Sequence, residues 1–172
     1  MPVDLVPYFA YGTTQRGFPH HRRLAGLIGE PLGRFRTVAP YAVVVPRRAA
    51  CSNPGCQYVH RMAALVAGLG SLNAEGDVFL VGAEALAAID RLELAGPYVR
   101  ATIDVAALDG ADRYAAQAYP ARDAGRWRAL VDGGRADALA AYPRELATGE
   151  RLKDCCVRAP GHPPPHDVVE PR

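Results

Sequence analysis

The apolar positions of the chain change period several times, and each change marks an element. Tyr8-Phe9-Ala10-Tyr11 is a short apolar run that stops at Gly12 and reads as a strand. Residues 20–30 carry a helical pattern interrupted by Gly26 and Gly29. Tyr41-Ala42-Val43-Val44-Val45 is rich in β-branched residues and ends at Pro46, which predicts a buried strand. Gly76-Asp77-Val78-Phe79-Leu80-Val81 predicts another strand. Within 83–93, Leu86, Ile89, Leu92 and Glu93 recur at helical spacing. Tyr98 to Leu108 and Tyr114 to Tyr119 read as strands, the second closed by Pro120. From Asp123 to Leu152, Trp127, Leu130, Leu139 and Leu146 predict helix, broken or kinked at Pro143. Residues 46–60, rich in Arg, Cys, Asn, Pro and Gly, read as a long loop, a kind of segment that is often functional.

This order is α+β and lacks the steady βαβ alternation of a doubly wound sheet. A small β-barrel flanked by helices fits it. With 172 residues and no internal repeat or linker, one domain is expected over 1–158. A Pro-rich, mobile or extended tail follows at 159–172, where Pro163-Pro164-Pro165 cannot join helix or sheet. No apolar run approaches the roughly 20 residues that cross a bilayer. The N-terminus has no basic region before an apolar one. The expectation is a cytoplasmic protein with no membrane partner; the oligomeric state is not legible.

Charge alters this picture little. The net charge of +2 is too small to call for a polyanionic partner. Of the 20 basic Lys and Arg residues only Lys153 is lysine, a bias that fits coding composition better than phosphate binding. The adjacent pairs Arg22-Arg23 and Arg47-Arg48 have no basic cluster around them, so no nucleic-acid partner is expected. Cys51, Cys56, Cys155 and Cys156 do not match a standard zinc spacing. Reduced thiols, a disulfide, or a metal site completed by His60, His162 or His166 all remain open for them.

Two segments carry chemistry. After the first strand, Tyr11-Gly12-Thr13-Thr14-Gln15 places a glycine where a sharp backbone turn can gather N–H groups, able to hold a carboxylate or a developing oxyanion. Glu93 sits where the helix 83–93 runs out, between Leu92 and Leu94 and before Gly96-Pro97. Apolar surroundings raise a carboxyl's proton affinity, as a general base working near neutral pH requires. Nucleophile schemes find less support. Ser52 and Ser71 are outside any Gly-x-Ser-x-Gly, and Cys56 with His60 has no orienting acid nearby in sequence. His20-His21 opens the second element, as a solvated turn or as part of the site.

A strand ending in Tyr-Gly-Thr, then Gly-Asp-Val-Phe, then Leu86-x-x-x-Asp90-x-x-Glu93, then Tyr98-x-Arg100, resembles the γ-glutamyl cyclotransferase-like family over roughly residues 7–120. That family includes γ-glutamylamine cyclotransferases and the butirosin-pathway deprotecting enzyme. The resemblance implies a small mixed β-barrel flanked by helices. It implies a glutamyl-binding loop at Tyr11, Gly12, Thr13, Thr14 and Gln15, with Glu93 as the catalytic acid/base. Tyr98 and Tyr119 follow as substrate hydrogen-bonding or core residues. The implied reaction releases an amine or amino acid from a γ-glutamyl small molecule as 5-oxoproline, with no metal and no cofactor. Two departures bear on the substrate. The usual loop reads Tyr-Gly-Thr-Leu-Lys where this chain has Thr14-Gln15, and the 46–62 segment is long, which suits a dedicated biosynthetic role. The competing expectations are a catalytically silent binding domain of the same fold and a metal-stabilised module clamped by the four cysteines.

Overall fold

The structure, a computed structural model, describes residues 4–47 and 62–143. Among these, β1 (Val6–Ala10), β2 (Gly33–Thr37), β5 (Glu75–Val81), β6 (Ala101–Ala107) and β7 (Arg113–Ala118) close a barrel in the order β1-β5-β2-β6-β7. All neighbours are antiparallel except β1 and β7, which run parallel and make the barrel mixed. A second, three-stranded sheet takes β3 (Tyr41–Pro46) at its centre between β4 (Ala64–Ala67) and β8 (Ala136–Leu139). Helices α1 (Pro19–Leu24), α2 (Ala83–Glu93) and α3 (Ala124–Asp132) lie around these sheets. The expected α+β barrel with flanking helices is the fold observed.

Alternation of side chains across the strands assigns the cores. Phe9, Phe35, Val78, Ile103 and Val105 fill the barrel together with Val43 and Val45 of β3. The intervening Ala42 and Val44 face the other way, onto Trp127 of α3. A strand buried on both faces reads as the unbroken apolar run that β3 shows. On the outside of the barrel Tyr8, Phe79 and Val81 receive Ala85 and Ile89 of α2. Ile89 is fully buried, which is worth about 2 kcal/mol and docks the helix that ends in Glu93.

One glycine is demanded by packing. A Cβ on Gly76 would overlap the backbone carbonyl of Ala10 and come within 2.9 Å of the Phe9 ring, so β1 and β5 meet here only because the side chain is missing.

The expected helix from 123 onward stops early. Gly133 caps α3, Gly134 adopts φ +66, and the chain returns as β8, antiparallel to β3. Two consecutive glycines end the helical pattern, and backbone pairing with β3 outweighs the modest helical preference of Ala-Asp-Ala-Leu. Strands β2 and β4 were not expected. The helix of 20–30 is confined to Pro19–Leu24 and ends before Gly26. Most of the 46–62 segment, all four cysteines and the 159–172 tail lie outside the described residues.

Candidate active site

The turn that follows β1 is built by its own backbone. Gln15 N–H donates to the Gly12 carbonyl (3.2 Å), Phe18 N–H to the Gln15 carbonyl (3.0 Å), and His20 N–H to the Thr13 carbonyl (3.1 Å). The N–H groups of Gly12, Thr13 and Thr14 find no acceptor among the described residues. Gly12, Thr13 and Thr14 line a cavity of about 90 Å³. Across it stand Leu92 and Glu93 at the end of α2, and four tyrosines, Tyr8, Tyr11, Tyr98 and Tyr119, make its walls. The turn and the glutamate, which the sequence placed far apart, therefore share one hollow.

Glu93 supplies the carboxyl among the residues that line this cavity. Burial against Leu92 and the tyrosines disfavours its charged form and pushes the carboxyl up from 4.5 to about 7. Tyr8, Tyr11 and Tyr98 are all raised, by desolvation and then by neighbouring negative charge that in each case includes Glu93. These phenols are neutral around the carboxyl.

The hydroxyls around the site are mostly engaged. Tyr8 Oη pairs with Thr14 Oγ1 (2.7 Å), Tyr11 Oη donates to the Tyr119 carbonyl (2.7 Å), and Tyr98 Oη donates to the Ala63 carbonyl (2.8 Å). Tyr119 Oη donates to Asp90 Oδ1 (2.7 Å), whose second oxygen takes Arg100 Nη1 (2.8 Å). Asp90 lies one helical turn before Glu93, so these bonds tie the end of α2 to the residue after β7 and the residue before β6. Burial and then the Asp90 bond raise the Tyr119 phenol.

Of the residues expected from sequence, Tyr11, Gly12, Thr13, Thr14, Glu93, Tyr98 and Tyr119 line the cavity, and Gln15 does not. The Gln15 side chain is 2% exposed and turns away, with Nε2 donating to the Tyr11 carbonyl (2.8 Å) and the Gly12 carbonyl (3.2 Å). It has a structural position, and the sequence alone does not show on which side of the turn it leaves. Gly12 enters the turn without a positive φ, and a Cβ built on it meets nothing within 4 Å, so it leaves open room at the cavity wall. Tyr8 and Ala63 were missed. Tyr8 reads as one more apolar strand residue, and only its outward register, toward α2, reveals it. His20 joins the wall, with Nδ1 2.7 Å from Thr13 Oγ1.

Among the described residues no three His, Cys, Asp or Glu side chains gather as a metal site, and no helix is long and apolar enough to cross a membrane.

An AIG2-like protein of Mus musculus has a similar fold (TM-score 0.58, 22% identity), over 81% of this chain and 88% of that one. A Homo sapiens protein (TM-score 0.52, 18% identity) covers 69% of this chain and 67% of its own. An Arabidopsis thaliana protein solved in solution (TM-score 0.52, 16% identity) covers 78% and 87%. At these identities the likeness is one of fold. No curated protein matches the chain. The family described as gamma-glutamyl cyclotransferase, AIG2-like, matches residues 8–136, a stretch running from the opening barrel strand through the turn and Glu93 to the start of β8. With three quarters of its length inside that match, the chain belongs to the gamma-glutamyl cyclotransferase, AIG2-like family.

Proposed function

We propose that the protein is a γ-glutamyl cyclotransferase that expels an amine or amino acid from a γ-glutamyl conjugate as 5-oxoproline, with Glu93 as general base and then general acid. The observation that carries this reading is the desolvated Glu93 carboxyl, raised to about 7, on the same cavity as the N–H groups of Gly12, Thr13 and Thr14, which find no acceptor among the described residues.

A γ-glutamyl amide carries its own nucleophile. The α-amine attacks the γ-carbonyl and closes a five-membered ring, so holding the chain folded supplies much of the rate. Glu93 carboxylate takes the proton that makes the ammonium an amine. The N–H groups of the turn hold the substrate's carboxylate or the oxygen on which charge develops. The carboxylic acid of Glu93 then gives its proton to the leaving nitrogen as the C–N bond breaks, which restores the carboxylate. The second proton left on the ring nitrogen by the attack goes with the departing amine, which leaves as its ammonium. Tyr98 and Tyr119 shape the wall beside that proton path and exclude water from it.

The test is a panel of γ-glutamyl amines and γ-glutamyl amino acids, with 5-oxoproline followed by mass spectrometry. Turnover is expected with at least one member and is lost in Glu93→Gln with the fold intact. Unchanged turnover in that variant would refute the role of Glu93.

A further inference from the structure

We propose that Gln15, Arg34 and Asp77 are positioning residues that hold the turn 11–17 in its substrate-binding form, an inference that rests on the cyclotransferase reading of the site. None of the three lines the cavity. Each is tied to the next. Gln15 Oε1 accepts Arg34 Nη1 (2.9 Å), and the same Nη1 lies 3.7 Å from Asp77 Oδ1. Asp77 Oδ2 accepts the backbone N–H of Arg16 (2.8 Å).

The chain of contacts grips the turn at both ends. At its start the Gln15 amide donates to the carbonyls of Tyr11 and Gly12, and at its far end Asp77 holds Arg16. Between the grips lie Gly12, Thr13 and Thr14, whose N–H groups find no acceptor among the described residues. The anchor is rigid, because Arg34 and Asp77 are direct register partners on β2 and β5, and Asp77 also faces Ala10 of β1.

Burying such groups is costly unless each is satisfied. An apolar side chain would fill the space of Gln15 and leave the Tyr11 carbonyl without its donor, while the Gly12 carbonyl would keep only the backbone N–H of residue 15. Asp77 is 6% exposed and Gln15 is 2% exposed, so water does not readily replace either. A buried polar chain of this kind selects one conformation of the turn, and that conformation aims the N–H groups. The Gln15 that departs from the usual family loop thus serves the site from behind.

Gln15→Met and Arg34→Met test this in the full chain. Arg34 is 39% exposed at its side chain, so its replacement leaves the core in place, and Trp127 emission checks the fold of both variants. Two readouts are taken: steady-state 5-oxoproline formation as a function of pH, and amide hydrogen exchange over 11–17 against β3. Misaiming the turn lowers kcat/KM by roughly 10- to 100-fold, while the acid limb set by Glu93 keeps its position. Exchange over 11–17 quickens, and exchange in β3 is unchanged. Native-like exchange over 11–17 overturns the proposal, and so does a kcat/KM within about twofold of the parent. If the parent protein itself forms no 5-oxoproline, the cyclotransferase reading falls and the exchange readout alone decides the brace.

Discussion

Glu93→Gln is expected to remove activity and to stabilise the protein at the same time. Burial pushes the Glu93 carboxyl up from 4.5 to about 7, so between these values the native state binds a proton that the unfolded chain releases. The sign follows. The contribution is fully present below about pH 4.5, is lost as pH rises through the native value, and stays lost above it. At about 1.4 kcal/mol per pH unit, a rise from 4.5 to about 7 amounts to about 3 kcal/mol. Glutamine cannot ionise and keeps that stability. Urea titrations followed by emission of Trp127, which packs from α3 onto the second sheet, measure both proteins without touching the site. At pH 8 the variant is more stable than the parent by up to about 3 kcal/mol, or about 6–12 °C in Tm, and at pH 4.5 the two nearly coincide. Curves whose separation is the same at pH 4.5 and pH 8 refute the reasoning, because they place the carboxyl in water.

The proposed role of the same group predicts the acid limb of the rate. In the proposed reaction kcat/KM rises with pH through an apparent pKa of about 7 as Glu93 becomes a carboxylate, and a limb near the ordinary carboxylate value counts against it. Gly12→Ala puts a methyl group into the empty side of the turn, where nothing lies within 4 Å of the added Cβ. Thermal melts of that variant match the parent while kcat/KM falls, and a lowered Tm with unchanged kinetics contradicts the assignment of Gly12 to the cavity wall. Gly76→Ala forces β1 and β5 apart at Ala10 and costs about 3 kcal/mol, read as a lowered urea midpoint; an unchanged midpoint disproves the close approach.

Much of the framework was legible where one physical signal dominated. Helix α2 runs over 83–93 as its spacing predicts, because Ala85 and Ile89 must bury one stripe against the barrel. Strand β3 is legible because both its faces are covered. Strand β2 was hidden by arginine: Arg34 and Arg36 flank the single core residue Phe35, and the alternation over Gly33–Thr37 is too short to stand out. Strand β8 was hidden by length, since four residues of Ala-Asp-Ala-Leu suit either period and the decision falls to Gly133-Gly134 and to β3. The site divides in the same way. Glu93 and the glycine turn have chemistry that shows in sequence, and the family resemblance ordered them. Whether Gln15 points into the hollow or behind it depends on Arg34 and Asp77, which lie far along the chain. Tyr8 depends on which face of β1 meets the end of α2, a matter of register that no local pattern states.

Stability and chemistry meet at one carboxyl, and the surrounding charges are disposed to keep them in tension. A guanidinium against Glu93 would return its pKa to the ordinary range and relieve the fold. Arg100 is engaged by Asp90, and Arg34 by Gln15, Glu75 and Asp77. Burial alone accounts for the raised value. In the proposed reaction the missing cation is the substrate's own ammonium, and its proton must pass to Glu93 before the ring can close. Moving the acceptor from 4.5 to about 7 makes that transfer less uphill by about 3 kcal/mol, whatever the ammonium's own affinity. That is a factor of roughly 100 in the population of free amine poised to attack. The energy by which the ionised carboxylate weakens the fold above pH 7 is the energy that makes it a competent base, so a substitution that relieves the first must weaken the second.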